Sequence, residues 1–281
     1  MSNERVAVVT GANVGIGLET ARGLAQQGYR VFMAARNEAK GQAAVADVQG
    51  SVPGAQVELL KLDLASLASV RAAAAAVKAK APQVHLLVNN AGLILSERQE
   101  TEDGFESTFG INHLGHFLLT TLLMDSFAPG VRVVNLSSEA HRMSKGLDFD
   151  DLMRSRRPYQ GMPAYADSKL ANILFTRSLA KRLKGGGVAH AVHPGVVRSG
   201  FAADGDVKGA FAVLVKLGGP FMLTPAKGAR TSLHVATSPD AATDSGRYWA
   251  RSKPKRPARA AQDDAAAEQL WSVSEALVGS A

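Results

Sequence analysis

The chain has 281 residues, 46% of them apolar and 20% charged, and it contains no cysteine. That balance excludes a disordered chain, and the missing cysteine excludes disulfides and thiolate metal sites. Of the formal charge of +7, six units fall on Arg247, Arg251, Lys253, Lys255, Arg256 and Arg259 with no acid between them. Only Tyr248 and Trp249 lie near these cations, which argues against a nucleic-acid face and for a solvated basic loop.

Val6–Thr10 is an apolar run of strand length that enters Gly11-Ala12-Asn13-Val14-Gly15-Ile16-Gly17 and then a helical pattern over Ile16–Gln27. A strand running into a glycine turn and a helix start makes an anion site. Gly11 suits a tight turn, Gly15 lets the backbone approach a pyrophosphate, and Gly17 lets helix and strand pack closely. The helix N-terminus then presents free N–H groups and a positive dipole end to phosphates. Gly11, Asn13, Gly15, Ile16 and Gly17 are therefore candidate cofactor contacts. The second strand, Arg30–Ala34, leads to Arg36-Asn37, where the adenosine ribose lies in a dinucleotide fold. An acid there would bind a free 2′-hydroxyl, but Arg36 stands in its place, and a guanidinium pairs with a 2′-phosphate. This favours NADP(H), with Asn37 beside it either at the cofactor or capping the next helix.

Helix Glu38–Val48, strand Val57–Lys61 and the pair Asp63-Leu64 follow, then helix Leu67–Lys80 and strand Leu86–Asn89, which runs into Asn90-Ala91-Gly92. A long helical pattern from about Gly104 to Ser126 is interrupted by the polar Asn112. His113 and His116 lie beside it without the Cys, Asp or Glu that would complete a metal site, so they are expected to be packed. Strand Val131–Leu136 ends in Ser137-Ser138. Helix Ala164–Leu183 carries Tyr165 and Lys169, four apart and so on one face. An ammonium near a phenol favours the phenolate, which predicts a lowered Tyr165 pKa and a usable acid–base. Tyr159 lacks such a partner, because Pro163 stands four residues later. Strand Val188–His193 precedes Pro194-Gly195-Val196-Val197-Arg198-Ser199. Beyond it lie an apolar, glycine-bearing flap at Asp206–Leu223, a helix starting at Thr224-Pro225, the basic loop Lys253–Arg259 and a final helix, about Asp263–Leu277. Alternating strands and helices at this spacing predict one α/β domain over residues 1–281, a doubly wound parallel sheet with helices on both faces.

Together these motifs, in order and at strand ends, resemble the short-chain dehydrogenase/reductase family in its compact, Rossmann-type branch. The carriers are Thr10-Gly11 with Gly15-Ile16-Gly17, Asp63-Leu64, Asn89-Asn90-Ala91-Gly92, Asn112, Ser137-Ser138, Tyr165 with Lys169, and Pro194-Gly195. The resemblance implies Tyr165 as general acid–base, Lys169 at the nicotinamide ribose, Ser138 on the substrate oxygen and Asn112 supporting a proton relay. It implies cofactor contacts from Asp63, Leu64, Asn90, Ala91, Gly92, Pro194, Gly195, Val197 and Ser199 as well. For Asp63, a helix N-cap fits the position equally well.

Met143–Pro163 lengthens the stretch between Ser138 and Tyr165. With Asn172-Ile173-Leu174-Phe175 and Gly246-Arg247-Tyr248-Trp249, it is similar to retinol-dehydrogenase-like members. The implied activity is NADP(H)-dependent hydride transfer to or from a carbonyl or alcohol, with a lipophilic aldehyde or ketone as substrate, no metal and a possible homo-oligomer. The alternative is an NADPH-binding regulator without significant turnover. A first strand within five residues of Met1 and the lack of a long apolar run predict no signal peptide, no integral membrane segment and a cytoplasmic location.

Overall fold

Largely buried runs rich in Val, Leu and Ala form the strands β1 (Arg5–Thr10), β2 (Tyr29–Ala35), β3 (Val57–Lys61), β4 (Val84–Asn89), β5 (Phe127–Leu136) and β6 (Val188–His193). The computed structural model describes residues 4–197 and 222–279. Two further short strands, β7 (Tyr248–Ala250) and β8 (Lys253–Lys255), complete one sheet of order β3-β2-β1-β4-β5-β6-β7-β8. All neighbours are parallel except β7 and β8.

Side chains alternate across a strand, so Val6 and Val8 enter one core while Ala7 and Val9 enter the other. The first core is roofed by helices α3 (Leu67–Lys80), α5 (Gly115–Leu123), α6 (Gly161–Arg182) and α8 (Asp264–Gly279). The second is roofed by α1 (Gly15–Gln26), α2 (Glu38–Ser51) and α7 (Pro225–Thr237). The doubly wound sheet with helices on both faces is as expected. Strand order reverses between β1 and β4, which opens a crevice at their carboxyl ends.

Three local expectations are corrected. The long helix does not run from Gly104. Gly104 turns at φ +82°, and the Glu106 carboxylate accepts from the Thr108 and Phe109 amides, so the helix starts as the short α4 (Ser107–Phe109). A π-helical turn, Gly110–Leu114, separates α4 from α5, and the Gly115 amide reaches back five residues to the Gly110 carbonyl. Both glycines sit in tight quarters: a Cβ on Gly115 would lie 2.7 Å from the Leu64 carbonyl, and one on Gly110 would lie 2.7 Å from the Thr101 methyl. Finally, the basic loop begins as an edge strand. Arg251 and Ser252, at φ +54° and +56°, form a two-residue hairpin turn of the kind that right-twisted strands favour. Lys253, Pro254 and Lys255 are exposed, and lysines with proline blunt the open edge. The flap falls outside the described residues apart from its end, where Leu223 pairs with Val197.

Candidate active site

At the switch point the Thr10 hydroxyl gathers the ends of both central strands. It accepts from the Asn90 amide at 2.9 Å and the Ala91 amide at 3.0 Å, and the Asn90 side chain donates to the Thr10 carbonyl at 2.8 Å. Gly11 and Gly15 both take φ +63°. A Cβ on Gly17 would collide with the Gly11 carbonyl, so only glycine lets α1 approach the turn this closely. Helices α2, α3 and α7 are capped by their own Asn37, Ser66 and Thr224 side chains. At α1, by contrast, Val14 provides no side-chain cap and the first turn holds no acid. Uncapped N–H groups beneath a positive-φ glycine turn fit a diphosphate. Ile16 in the first turn of α1 and Val197 in the loop after β6 both border Gly228, where a Cβ would lie 3.2 Å from Ile16 and 2.6 Å from Val197. Pro194 and Gly195, the latter at φ +94°, belong to that same loop.

Arg36 is exposed at the carboxyl end of β2 and has no ion-pair partner among the described residues. The Asn37 oxygen accepts from the Lys40 amide at 2.9 Å and is thus committed to capping α2. The Asp63 carboxylate accepts from the Ala65 amide at 2.9 Å, while Ser66 is the actual N-cap of α3, so the cap reading of Asp63 is set aside. Leu64 is buried in the first core. Ser199 lies outside the described residues.

The four candidate catalytic residues converge from three elements. Within the π-helical turn, Asn112 Oδ1 accepts from the Leu93 amide at 2.8 Å, and its Nδ2 donates to the Leu93 carbonyl and to Ser168 Oγ at 2.9 Å each. The asparagine thereby staples the segment after Gly92 to α6. A Cβ on Gly92 would lie 3.1 Å from Asn112 Oδ1 and 3.2 Å from Lys169 Nζ. Lys169 Nζ donates to the Leu136 carbonyl at 3.2 Å and lies 5.4 Å from the Tyr165 ring centroid. Ser137 Oγ donates to the Lys169 carbonyl at 2.8 Å, which spends that hydroxyl on structure. Ser138 accepts from the Ala140 amide at 3.2 Å and hydrogen-bonds the Tyr165 phenol.

Electrostatics depart from expectation in one respect. Burial pushes the Tyr165 phenol up to about 12, and the hydrogen bond from Ser138 only partly opposes it. Burial also pushes Lys169 down to about 8. The predicted lowering of the Tyr165 pKa by Lys169 is therefore not found, because Lys169 is buried and Tyr165 half-buried, and desolvation disfavours each charged form. Tyr165 stands as a protonated acid at neutral pH.

Two histidines near the site have partners that sequence reasoning missed. His116 Nδ1 faces the Asn112 carbonyl at 3.2 Å, so it carries the proton, and its Nε2 lies 2.8 Å from the Thr10 hydroxyl. His141 Nδ1 lies 2.5 Å from the Ser138 carbonyl. His113 instead bonds Ser274 at 2.8 Å within the core, and no three metal-binding side chains cluster among the described residues. The extra segment before Tyr165 is pinned in place. Buried Arg154 pairs with Asp167, whose other oxygen accepts from Ser144 at 2.6 Å, and Tyr159 donates to Glu106 at 2.9 Å.

Residues 5–147 match the family model described as short chain dehydrogenase. Retinol dehydrogenase 12 from Homo sapiens is 46% identical over 279 residues, covering 98% of this chain and 86% of that protein. A crystallised, uncharacterised protein from Mycobacterium paratuberculosis superposes with a TM-score of 0.79 at 36% identity, covering 98% of this chain and 93% of the other. Actinorhodin polyketide ketoreductase, solved with NADPH, superposes with a TM-score of 0.68 at 25% identity, covering 89% and 96%.

Proposed function

Because the chain belongs to the short-chain dehydrogenase/reductase family and is an oxidoreductase, we propose that it is an NADP(H)-dependent carbonyl reductase or alcohol dehydrogenase for lipophilic aldehydes and ketones. The observation that carries this reading is the meeting of Gly92, Asn112, Lys169, Tyr165 and Ser138 beside the β1–β4 crevice. The glycine turn and the α1 N-terminus would hold the diphosphate, Arg36 the 2′-phosphate, and Lys169 with the Pro194–Val197 loop the nicotinamide end. When bound, the nicotinamide gives or takes the hydride at the carbonyl carbon.

The remaining chemistry falls to the protein. Ser138 holds the substrate oxygen by a hydrogen bond, and Tyr165 gives its phenolic proton to that oxygen as negative charge develops there. A phenol kept protonated by burial suits the reducing direction. Lys169 stands ready to stabilise the phenolate once that proton has left, and Asn112 fixes the backbone next to it. NADP(H) rather than NAD(H) is supported by the exposed Arg36, which has no ion-pair partner among the described residues; Glu38, the acid closest to it in sequence, is engaged by Lys61 at 3.4 Å. A lipophilic substrate is supported by the retinol dehydrogenase relative and by the exposed Met143 and Val196 in the segments after β5 and β6.

The test is NADPH oxidation against a panel of lipophilic aldehydes and ketones, with Tyr165→Phe beside the wild type. The expected result is turnover that falls by about 10³-fold or more in the variant while NADPH affinity is retained. Tight NADPH binding without turnover on any panel member would overturn the reading in favour of a cofactor-binding regulator. Arg36→Ala is expected to weaken NADPH far more than NADH, and equal weakening would refute the 2′-phosphate assignment.

A further inference from the structure

The basic C-terminal loop enters the site through one buried side chain. His141 follows Ser138 by three residues, on a 3₁₀ turn (Glu139–Met143), and it is fully buried. Its Nδ1 lies 2.5 Å from the Ser138 carbonyl, a group that can only accept. Its Nε2 lies 3.1 Å from the Ala258 amide nitrogen, a group that can only donate. Both partners dictate the same tautomer, a neutral imidazole with its proton on Nδ1. The ring stacks edge-on against Tyr248 at 5.0 Å, and the Tyr248 hydroxyl donates to Glu139 at 2.9 Å. Arg142 donates to the Arg256 carbonyl at 2.8 Å, a second tie between the same two segments.

We propose that His141 is a positioning residue for Ser138, bridging the Ser138 carbonyl and the Ala258 amide so that the C-terminal loop becomes part of the serine's support. The inference rests on the role given to Ser138 above. A serine whose hydroxyl must meet a substrate oxygen within hydrogen-bond reach needs its backbone held, and this carbonyl, beyond the last ladder residue of β5, accepts from the His141 amide at 3.1 Å as well as from the ring. The bridge breaks on protonation, because an Nε2–H would then point at the Ala258 N–H. The charged and titratable groups facing His141 are Glu139 and Arg142 on its own turn, Tyr248 on β7 and His193 at the end of β6. Burial holds the imidazole below its ordinary range, so the bridge is intact at neutral pH.

The experiment compares His141→Phe, His141→Asn and His141→Gln with the wild type. Phenylalanine keeps the ring against Tyr248 and loses both hydrogen bonds. Asparagine places an N–H donor where Nδ1 stood, whereas glutamine reaches only toward the Nε2 position. His141→Phe is expected to lower kcat about tenfold or more with NADPH affinity within about twofold, and His141→Asn and His141→Gln, each keeping only one end of the bridge, to restore no more than part of that loss. The acid limb of the wild-type kcat profile should be absent in His141→Asn. An unchanged kcat in His141→Phe, or full rescue by either amide, would overturn the proposal. A readout independent of turnover is the long-range ¹H–¹⁵N spectrum of ¹⁵N-histidine-labelled protein, where His141 should be the Nδ1–H tautomer at pH 7. An Nε2–H tautomer would overturn the bridge even if the reductase reading stands. Absent wild-type turnover would overturn the reductase reading instead, with the tautomer still deciding the bridge.

Discussion

Replacing Gly92 by alanine sets a methyl group against two side chains of the proposed site, Asn112 and Lys169. The new Cβ would lie 3.1 Å from Asn112 Oδ1, 3.2 Å from Lys169 Nζ and 3.7 Å from Asn112 Cγ. Gly92 is not in the left-handed region, so the backbone itself tolerates alanine. The cost comes from the two polar atoms, each a few tenths of an ångström inside comfortable contact of about 3.5 Å. Neither can retreat freely: Asn112 Oδ1 holds the Leu93 amide at 2.8 Å, and Lys169 Nζ holds the Leu136 carbonyl at 3.2 Å. Overpacking of this kind costs about 1–3 kcal/mol. A misplacement of about 1 Å costs about 10²-fold in rate, so a shift of a few tenths predicts a five- to tenfold fall in kcat. The assay is steady-state NADPH oxidation with a fluorescence titration of NADPH and a thermal melt on the same preparation. Gly50→Ala is the control, since a Cβ there meets nothing within 4 Å; in a helix it should be neutral or stabilise by up to about 1 kcal/mol. Wild-type kcat and an unchanged melt in Gly92→Ala would refute the claim that these three residues are packed against one another in the working enzyme.

Acid should destabilise the fold through its buried histidines, because His113 and His116 are pushed down to about 3 and about 4 by burial. Their folded values lie below the ordinary 6.5, so their contribution is complete above pH 6.5 and is lost as pH falls toward 4. The predicted slope is about 1.4 kcal/mol per pH unit for each histidine. Urea melts at pH 7, 6 and 5 should show it, and His113→Phe should remove about 1.4 kcal/mol per pH unit of it; equal stability at all three values would contradict the burial argument. Asp167→Asn leaves buried Arg154 without its counter-charge and should cost about 3 kcal/mol. The readout is an earlier denaturant midpoint, together with faster proteolysis between residues 144 and 160; an unchanged midpoint would show that the pair does not hold that segment. Trp271, packed on Phe117 at 4.9 Å and on Phe175 at 5.9 Å, should cost about 3–5 kcal/mol as Trp271→Ala, with kcat nearly unaffected per folded molecule. A loss of kcat without a loss of stability would place the C-terminal helix in the catalytic machinery instead.

Much of the site was legible from residue order because its logic is local. The run Val6–Thr10 with Gly11, Gly15 and Gly17 encodes strand, turn and helix start within twelve residues, and the spacing of Tyr165 and Lys169 puts both on one helix face whatever surrounds them. Asn90, Asn112 and Ser138 were locatable because each sits at a strand end or breaks an apolar helix. Other features depend on partners distant in sequence and were not legible. The π-helical turn at Gly110–Leu114 accompanies the close approach of Leu64 and Thr101. The strand Lys253–Lys255 has no apolar alternation and exists only because β7 offers it an edge. His141 gains its meaning from Ala258, a partner 117 positions away. The pKa of Tyr165 was misjudged for the same reason. Spacing along a helix tells which charge is near, but desolvation depends on everything packed around the phenol, and burial by the whole fold outweighed the neighbouring lysine.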